Sequence, residues 1–309
     1  MKISNIIITA AIGIGLLSGA IFTKPFGLSD EDRACYETAV SLQYAADTIG
    51  FTDFYLTDYP VSVCDGKNDY VLISNGNSYD VVKRAPVIET LAGTIYEVDG
   101  QYEVIVPARS LMKSLVGVIG ETWNENEQAA MIWHEAFHCW QMSNYEDNIV
   151  SILGENSFED DSFGGALINS QYTENPKAAE LFRKQLVLLS DCIGEKDVDI
   201  IKESIVKYKK LDEERLSLLS EDTVCLEKYY TRVEGTASYV EACICKSQDA
   251  NRYESEYQSR LAEYSEGSEK YYTLGRSQCM LLDKLDSNWK TEYDFSDDLI
   301  DLIYEKLGV

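Results

Sequence analysis

The chain has 309 residues, of which 45% are hydrophobic and 11% aromatic, so it can bury a core as one large domain or two small ones. This composition excludes a disordered chain. The formal net charge of −26 argues against nucleic acid as a partner, because a polyanion would be repelled, and it disfavours docking on an anionic membrane surface.

The first 25 residues have the features of a targeting segment. Lys2 precedes an uncharged apolar run at residues 6–22, and Ser18-Gly19-Ala20 offers the small-x-small pattern that signal peptidase recognises. The run is also nearly long enough to span a bilayer as an uncleaved anchor, and a buried core helix is the third alternative. A cleaved signal peptide or a single N-terminal membrane anchor would place residues 26–309 outside the cytoplasm, secreted or anchored.

The eight cysteines are spread along the chain without a C-x-x-C pair. In an exported chain they permit disulfides, and their number allows about 105 pairings. Their spacing does not favour a cysteine-ligated structural metal, and some are expected to be small buried hydrophobic residues.

The N-terminal third predicts a helix followed by a sheet. Ser29 stands before three acidic residues and is the predicted N-cap of a helix that runs to about residue 48. Asp99-Gly100 indicates a hairpin turn between the last two of five runs rich in β-branched and aromatic residues. These runs are YPVSV, YVLIS, YDVV, TIYEV and YEVIV. They predict a small, mostly antiparallel sheet.

Beyond residue 110 the pattern is helical. Asn126 is the predicted cap of a helix at 127–142, a looser acidic stretch follows at 145–174, and Pro176 fits the first turn of the next helix. Further helices are predicted at 176–192, 197–217, 222–247, 252–264, 268–286 and 296–307. The prediction is an α+β fold: a helix and sheet within residues 26–110, then a mainly helical part at 111–309.

The segment WHEAFHCW at residues 133–140 contains both histidines of the chain. His134 and His138 are four residues apart, so on a helix they share a face and can reach one tetrahedral Zn²⁺. Glu135 lies about 100° further round the helix, where it can reach a water on the metal. The alternative is a buried helix with two hydrogen-bonded core histidines.

A catalytic zinc needs a third protein ligand and an open position. With both histidines used, the ligand must be a carboxylate or a cysteine, and Glu234 is the first candidate. It lies at the edge of an apolar stripe formed by Leu226, Tyr230, Val233, Ala237, Val240 and Ile244. Gly235 beside it would let another helix approach closely. Glu155 and Glu159 are the alternative ligands, and an ordinary surface position is the alternative for Glu234.

Here the chain resembles the gluzincin metallopeptidases, whose third ligand is a glutamate on a second helix. HEAFH and the downstream EGTASYVE carry this resemblance. A third segment, YTLG at 272–275 with LLD at 281–283 and Trp289, resembles a poorly characterised group of bacterial peptidases. That group combines H-E-x-x-H-x-x-Q, E-G-x-A-x-Y and Y-x-x-G…L-L-D…W, and Gln141 matches its glutamine. The resemblance covers roughly residues 126–290.

The chain departs from the thermolysin-like members in two ways. The separation between His138 and Glu234 is much longer than theirs. Ser238 also stands where they place an acidic residue that orients a ligand. Glu241, one turn further on the same face, is the expected substitute.

The resemblance implies a metallopeptidase with one Zn²⁺ per chain, bound by His134, His138 and Glu234, and the N-terminal apolar segment adds the expectation that it is exported. Glu135 would be the general base in the hydrolysis of a peptide or protein substrate. Tyr272 is the first choice for the donor that stabilises the oxyanion, followed by Tyr239 and Arg276. A packed aromatic ring or a surface charge is the alternative for each of these three.

Two other functional classes compete with the peptidase. The first is a non-catalytic, zinc-stabilised extracellular binding domain, which would hold a fully ligated metal without turnover. The second is a purely structural domain without metal. Glu135 favours the enzyme, since a structural site has no use for a base at that position.

Overall fold

The computed structural model describes residues 28–76, 78–88, 90–119, 123–153 and 161–309. The predicted signal peptide or anchor at residues 1–25 lies outside the described residues, as do Glu155 and Glu159. Within the described ranges, none of the helices combines the length and the apolar character needed to cross a membrane.

The fold is α+β, as predicted. The strands are β1 (Val61–Cys64), β2 (Asp69–Ser74), β3 (Tyr79–Arg84), β4 (Thr94–Val98) and β5 (Gln101–Pro107). The helices are α1 (Asp30–Ser41), α2 (Gln43–Ile49), α3 (Arg109–Ile119), α4 (Glu125–Leu153), α5 (Asp161–Glu174), α6 (Pro176–Gly194), α7 (Val198–Leu216), α8 (Glu221–Gln248), α9 (Ala250–Tyr253), α10 (Glu269–Leu285) and α11 (Leu299–Leu307).

All five predicted runs form strands of one mixed sheet. The strand order is β3-β2-β1-β5-β4, in which β1 and β5 are parallel and the other three pairs are antiparallel. The turn between β4 and β5 is the predicted one. Asp99 and Gly100 have φ values of 52° and 86°, the left-handed conformations that a type I′ hairpin turn requires.

The chain divides into two compact units. The first contains the described residues up to Asn144 together with Cys243–Gln248, and the second contains Tyr145–Ala242 and Asp249–Val309. The sheet and the histidine-bearing part of α4 belong to the first unit. The predicted division of the chain near residue 110 stays a prediction.

The first unit fixes α4 through large aromatic side chains. The indole N–H of Trp133 donates to the carbonyl oxygen of Ala39 at 2.9 Å, and that of Trp140 donates to Thr52 at 3.2 Å. Rings with centroids 4.7–5.9 Å apart pack around them; these belong to Phe51, Phe54, Trp133, Phe137 and Trp140. Buried indoles with satisfied N–H groups hold the axial position and the rotation of the helix.

The predicted N-cap of α4 is wrong by two residues. The helix begins at Glu125, and the side-chain oxygen of Asn124 accepts from the backbone N–H groups of Asn126 and Glu127 at 2.8 and 3.2 Å. Asn124 is therefore the capping residue, and Asn126 already lies within the first turn. The predicted end near residue 142 corresponds to Tyr145, whose φ of −135° and ψ of 22° interrupt the helix before it continues.

Three further predicted boundaries change. The described parts of the stretch predicted to be looser, residues 145–153 and 161–174, are helical, and Ile149, Ile168 and Tyr172 are buried there. The first predicted helix divides into α1 and α2 at Leu42, although the Ser29 cap is present as predicted. The predicted helix at 252–264 is shorter, since the amide of Ser259 bonds five residues back and widens the last turn into a π-helix.

Five cysteines are free thiols, and four of them are buried; the five are Cys35, Cys64, Cys139, Cys192 and Cys225. Burial raises the pKa of both Cys35 and Cys64 to about 11. Both thiols are therefore protonated at neutral pH, which makes them poor nucleophiles and poor metal ligands.

The second unit contains a buried ion pair between α7 and α8. Arg215 and Glu227 are 3% and 4% exposed, and a guanidinium N–H of Arg215 donates to the Glu227 carboxylate at 2.5 Å. The hydroxyls of Tyr172 and Tyr271 also donate to this carboxylate, at 2.7 and 2.5 Å. Glu227 is therefore a charged acceptor shared by three donors from three other helices.

We expect Glu227→Gln to lower the free energy of unfolding by about 2 kcal/mol, because it removes the carboxylate that three buried donors share and leaves Arg215 with one carboxylate, Asp212 at 2.9 Å. Urea denaturation at pH 7 would measure the change. Glu180→Gln, which removes an exposed ion pair with Lys184, is the control and should leave the midpoint unchanged. Equal midpoints for Glu227→Gln and the wild type would contradict this account of the second unit.

Candidate metal centre

Helix α4 presents both histidines on one buried face. His134 is 4% exposed and His138 is fully buried. Their Nε2 atoms are 3.2 Å apart, and the ring planes are inclined by 74°. Two atoms that each lie about 2.05 Å from a tetrahedral ion of zinc's size are about 3.3 Å apart. The observed separation therefore matches that of two ligands of one metal ion.

Gln141, one turn after His138, determines which ring nitrogen can bind metal. Its side-chain oxygen lies 2.6 Å from Nδ1 of His138, and both residues are fully buried. An amide oxygen only accepts hydrogen bonds, so Nδ1 must carry the proton. The lone pair of His138 is then on Nε2, the atom that faces His134. This is the orienting hydrogen bond that metal-binding histidines ordinarily make.

Glu234 on α8 completes the group. One ligand atom from each of His134, His138 and Glu234 can be chosen so that all lie within 4.8 Å of one another. Glu234 is 1% exposed, so it is not the surface residue that was its alternative. The predicted apolar stripe of α8 is buried along its whole length. Two imidazoles and a carboxylate form the donor set of a three-ligand metal site with an open position.

Glu135 is fully buried on the same helix, and its carboxylate lies against the backbone of Gly93. A Cβ atom added to Gly93 would lie 2.5 Å from Oε1 and 2.9 Å from Cγ of Glu135. Only glycine leaves room for the carboxylate at this point. Gly93 was not among the residues predicted from the sequence, where its one signal is its position directly before a predicted strand.

The candidate oxyanion donors and orienting residue lie on the helices of the second unit. Tyr272 is half-buried on α10, and Glu241 is half-buried on α8, where it accepts from the hydroxyl of Tyr257 at 3.1 Å. The Tyr239 hydroxyl donates to Asp283, and the Arg276 guanidinium donates to Ser238 at 2.7 Å. The functional roles assigned to Tyr272, Tyr239, Arg276 and Glu241 stay predictions.

No family model, curated protein or solved structure matches the chain. The buried group of His134, His138 and Glu234 is nevertheless compatible with an H-E-x-x-H metal site. The likeness to the gluzincins rests on this group and on the three sequence motifs.

We expect Gln141→Leu to lower zinc affinity by about 10- to 100-fold, because His138 loses the acceptor that fixes its tautomer and ring orientation. Competition with a chromogenic chelator would measure the affinity. Gln128→Leu is a matched control on the same helix. It also removes a buried amide, which donates to the Pro107 carbonyl at 3.0 Å, but it should leave zinc affinity unchanged. Equal affinities in the two variants would show that Gln141 does not orient a ligand.

Proposed function

We propose that the chain is an exported, zinc-dependent metallopeptidase. The observation that carries the proposal is the convergence of His134, His138 and Glu234 within 4.8 Å, with Glu135 buried on the helix that supplies both histidines. The donor set of two histidines and one glutamate is that of catalytic zinc in peptidases. The N-terminal apolar segment supports the export part of the proposal.

In this proposal His134, His138 and Glu234 bind the metal, and Glu135 transfers the proton. Bound zinc would supply a Lewis acid that polarises the substrate carbonyl and lowers the pKa of a water molecule. Glu135 would remove a proton from the attacking water as a bond forms between the water oxygen and the carbonyl carbon. Glu135 would then deliver this proton to the amide nitrogen as the C–N bond breaks, so that one carboxylate acts as both base and acid. The hydrogen bond from Nδ1 of His138 to Gln141 would hold the ring in place, with Nε2 directed at the metal.

The number of ligands supports catalysis over a purely structural site. Structural zinc sites have four protein ligands, whereas the group found among the described residues has three. A zinc-stabilised binding domain would also have no use for Glu135, whose burial costs free energy. These two features favour the enzyme over the binding domain.

The sheet supports a peptide as the substrate. Strand β4 is at an edge, because it pairs with β5 on one side in the described sheet. An extended peptide can add to such an edge through backbone hydrogen bonds. Gly93, which contacts the Glu135 carboxylate, immediately precedes Thr94, the first residue of β4. A peptide paired with this edge would have its backbone near the proposed base.

The direct test of the proposed function is turnover of a peptide library by the zinc-loaded chain and by Glu135→Gln. We expect the wild type to cleave, and Glu135→Gln to retain zinc while its rate falls by about 10²- to 10⁴-fold, since an amide cannot accept the proton. Product peptides would be identified by mass spectrometry. Zinc binding without cleavage in the wild type would favour the zinc-stabilised binding domain.

Gly93→Ala tests the position of Glu135 without altering a functional side chain. The added methyl group must displace the carboxylate, and a displacement of about 1 Å at a reacting group can cost about 10²-fold in rate. We expect a lower turnover number at unchanged zinc affinity. Gly194→Ala, where no atom lies within 4 Å of the added Cβ, is the control. Wild-type turnover in Gly93→Ala would mean that the Glu135 carboxylate need not occupy its observed position.

A further inference from the structure

Helices α8 and α10 touch through two glycines. A Cβ atom added to Gly235 would lie 2.6 Å from Cα of Gly275, and one added to Gly275 would lie 2.2 Å from the carbonyl oxygen of Thr231. Both obstructing atoms belong to backbone, which a rotamer change cannot move aside. The two helices are therefore in direct backbone contact at this crossing.

Side chains join the same two helices on either side of the glycine contact. On one side, the hydroxyl of Tyr271 donates to Glu227. On the other side, the hydroxyl of Tyr239 donates to Asp283. The contacts advance in the same direction along both helices, so α8 and α10 run parallel. Attachment before and after the crossing limits both rotation and sliding of α8.

Asp283 is the acceptor at one end of this junction. Besides the Tyr239 hydroxyl it accepts from the indole N–H of Trp289 at 2.9 Å and from the ammonium group of Lys290. Both donors are buried and follow α10 directly. Gly235 and Tyr239 of the second motif thus meet Gly275, Asp283 and Trp289 of the third motif in one helix–helix junction.

From this junction we infer that Gly275 and Asp283 are positioning residues for the metal ligand Glu234. The inference rests on the proposed function, because it assumes that Glu234 binds the metal. Glu234 directly precedes Gly235, so its carboxylate is carried by the turn of α8 that contacts α10. Neither Gly275 nor Asp283 is placed among the ligands, and both act through α8.

The distances show how strongly the junction constrains the ligand. Ordinary contact of a Cβ atom begins at 3.4 Å, whereas a Cβ on Gly275 would be 2.2 Å from Thr231. The helices would have to separate by about 1 Å, while metal–ligand distances tolerate deviations of only about 0.2 Å. A methyl group at residue 275 is therefore expected to weaken zinc binding from outside the ligand set.

The test compares zinc affinity and thermal stability in the full chain and three variants. We expect Gly275→Ala to lower zinc affinity by at least about 10-fold. Tyr239→Phe, which removes one hydroxyl and preserves the packed ring, should lower it by about threefold. Gly165→Ala is the control, since it changes a helical glycine with no atom within 4 Å of the added Cβ, and it should bind zinc like the wild type.

The zinc-induced rise in melting temperature separates positioning from general destabilisation. A merely structural role would lower the melting temperature equally with and without zinc, whereas a positioning role reduces the rise itself. If Gly275→Ala does not fold, Tyr239→Phe decides the question by the same two measurements.

The outcomes also separate this inference from the proposed function. Zinc binding by the wild type that is retained at full affinity in Gly275→Ala and Tyr239→Phe would overturn the inference and leave the proposed function standing. A wild type that binds no zinc, or binds it as tightly after His138→Ala, would overturn both.

Discussion

The structure buries a carboxylate beside two imidazoles, and this costly arrangement constrains the helices that carry the three groups. Glu234 is 1% exposed, and its ligand atom lies within 4.8 Å of those of His134 and His138. Withdrawing a carboxylate from water is costly unless it is paired or bound to a cation. A divalent metal satisfies the carboxylate and both imidazole lone pairs at once, and its binding free energy would then contribute to the stability of the folded chain. Glu135, between the two histidines on α4, is also fully buried.

The scaffold holds the ligand-bearing helices in two different ways. Helix α4 is fixed by large side chains: the indoles of Trp133 and Trp140 are hydrogen-bonded to backbone carbonyls, and phenylalanine rings pack between them. Helix α8 is fixed by the absence of side chains, because Gly235 and Gly275 bring two backbones into contact. Large aromatic residues hold a helix through many weak contacts. A contact between two glycines instead fixes how far apart the two helix backbones lie. Gly93 also permits a close contact because it has no side chain. The carboxylate of Glu135, the proposed base, lies directly against its backbone.

Local periodicity was enough to predict the strands, most helices and the shared face of His134 and His138, because these features depend on neighbours a few residues away. The continuation of α4 past Tyr145 was missed, since the acidic surface of that stretch concealed its buried apolar positions. Asn124 was missed as a cap because Asn126 is an equally good candidate by composition. Gly93 and Asp283 could not be assigned roles from the sequence, because their partners Glu135 and Tyr239 are distant along the chain. Glu234 could be predicted as a ligand because the apolar stripe and the resemblance pointed to the same residue.

Zinc K-edge X-ray absorption of the purified, zinc-loaded chain, recorded beside Glu234→Ala, tests whether the three buried side chains bind a metal. We expect one zinc per wild-type chain, with two imidazole nitrogens at about 2.0–2.1 Å and oxygen ligands in the remaining positions. We also expect Glu234→Ala to lose the metal or to bind it far more weakly. A wild type without stoichiometric zinc, or an unchanged spectrum and affinity after Glu234→Ala, would contradict the claim that these three buried side chains form a metal centre.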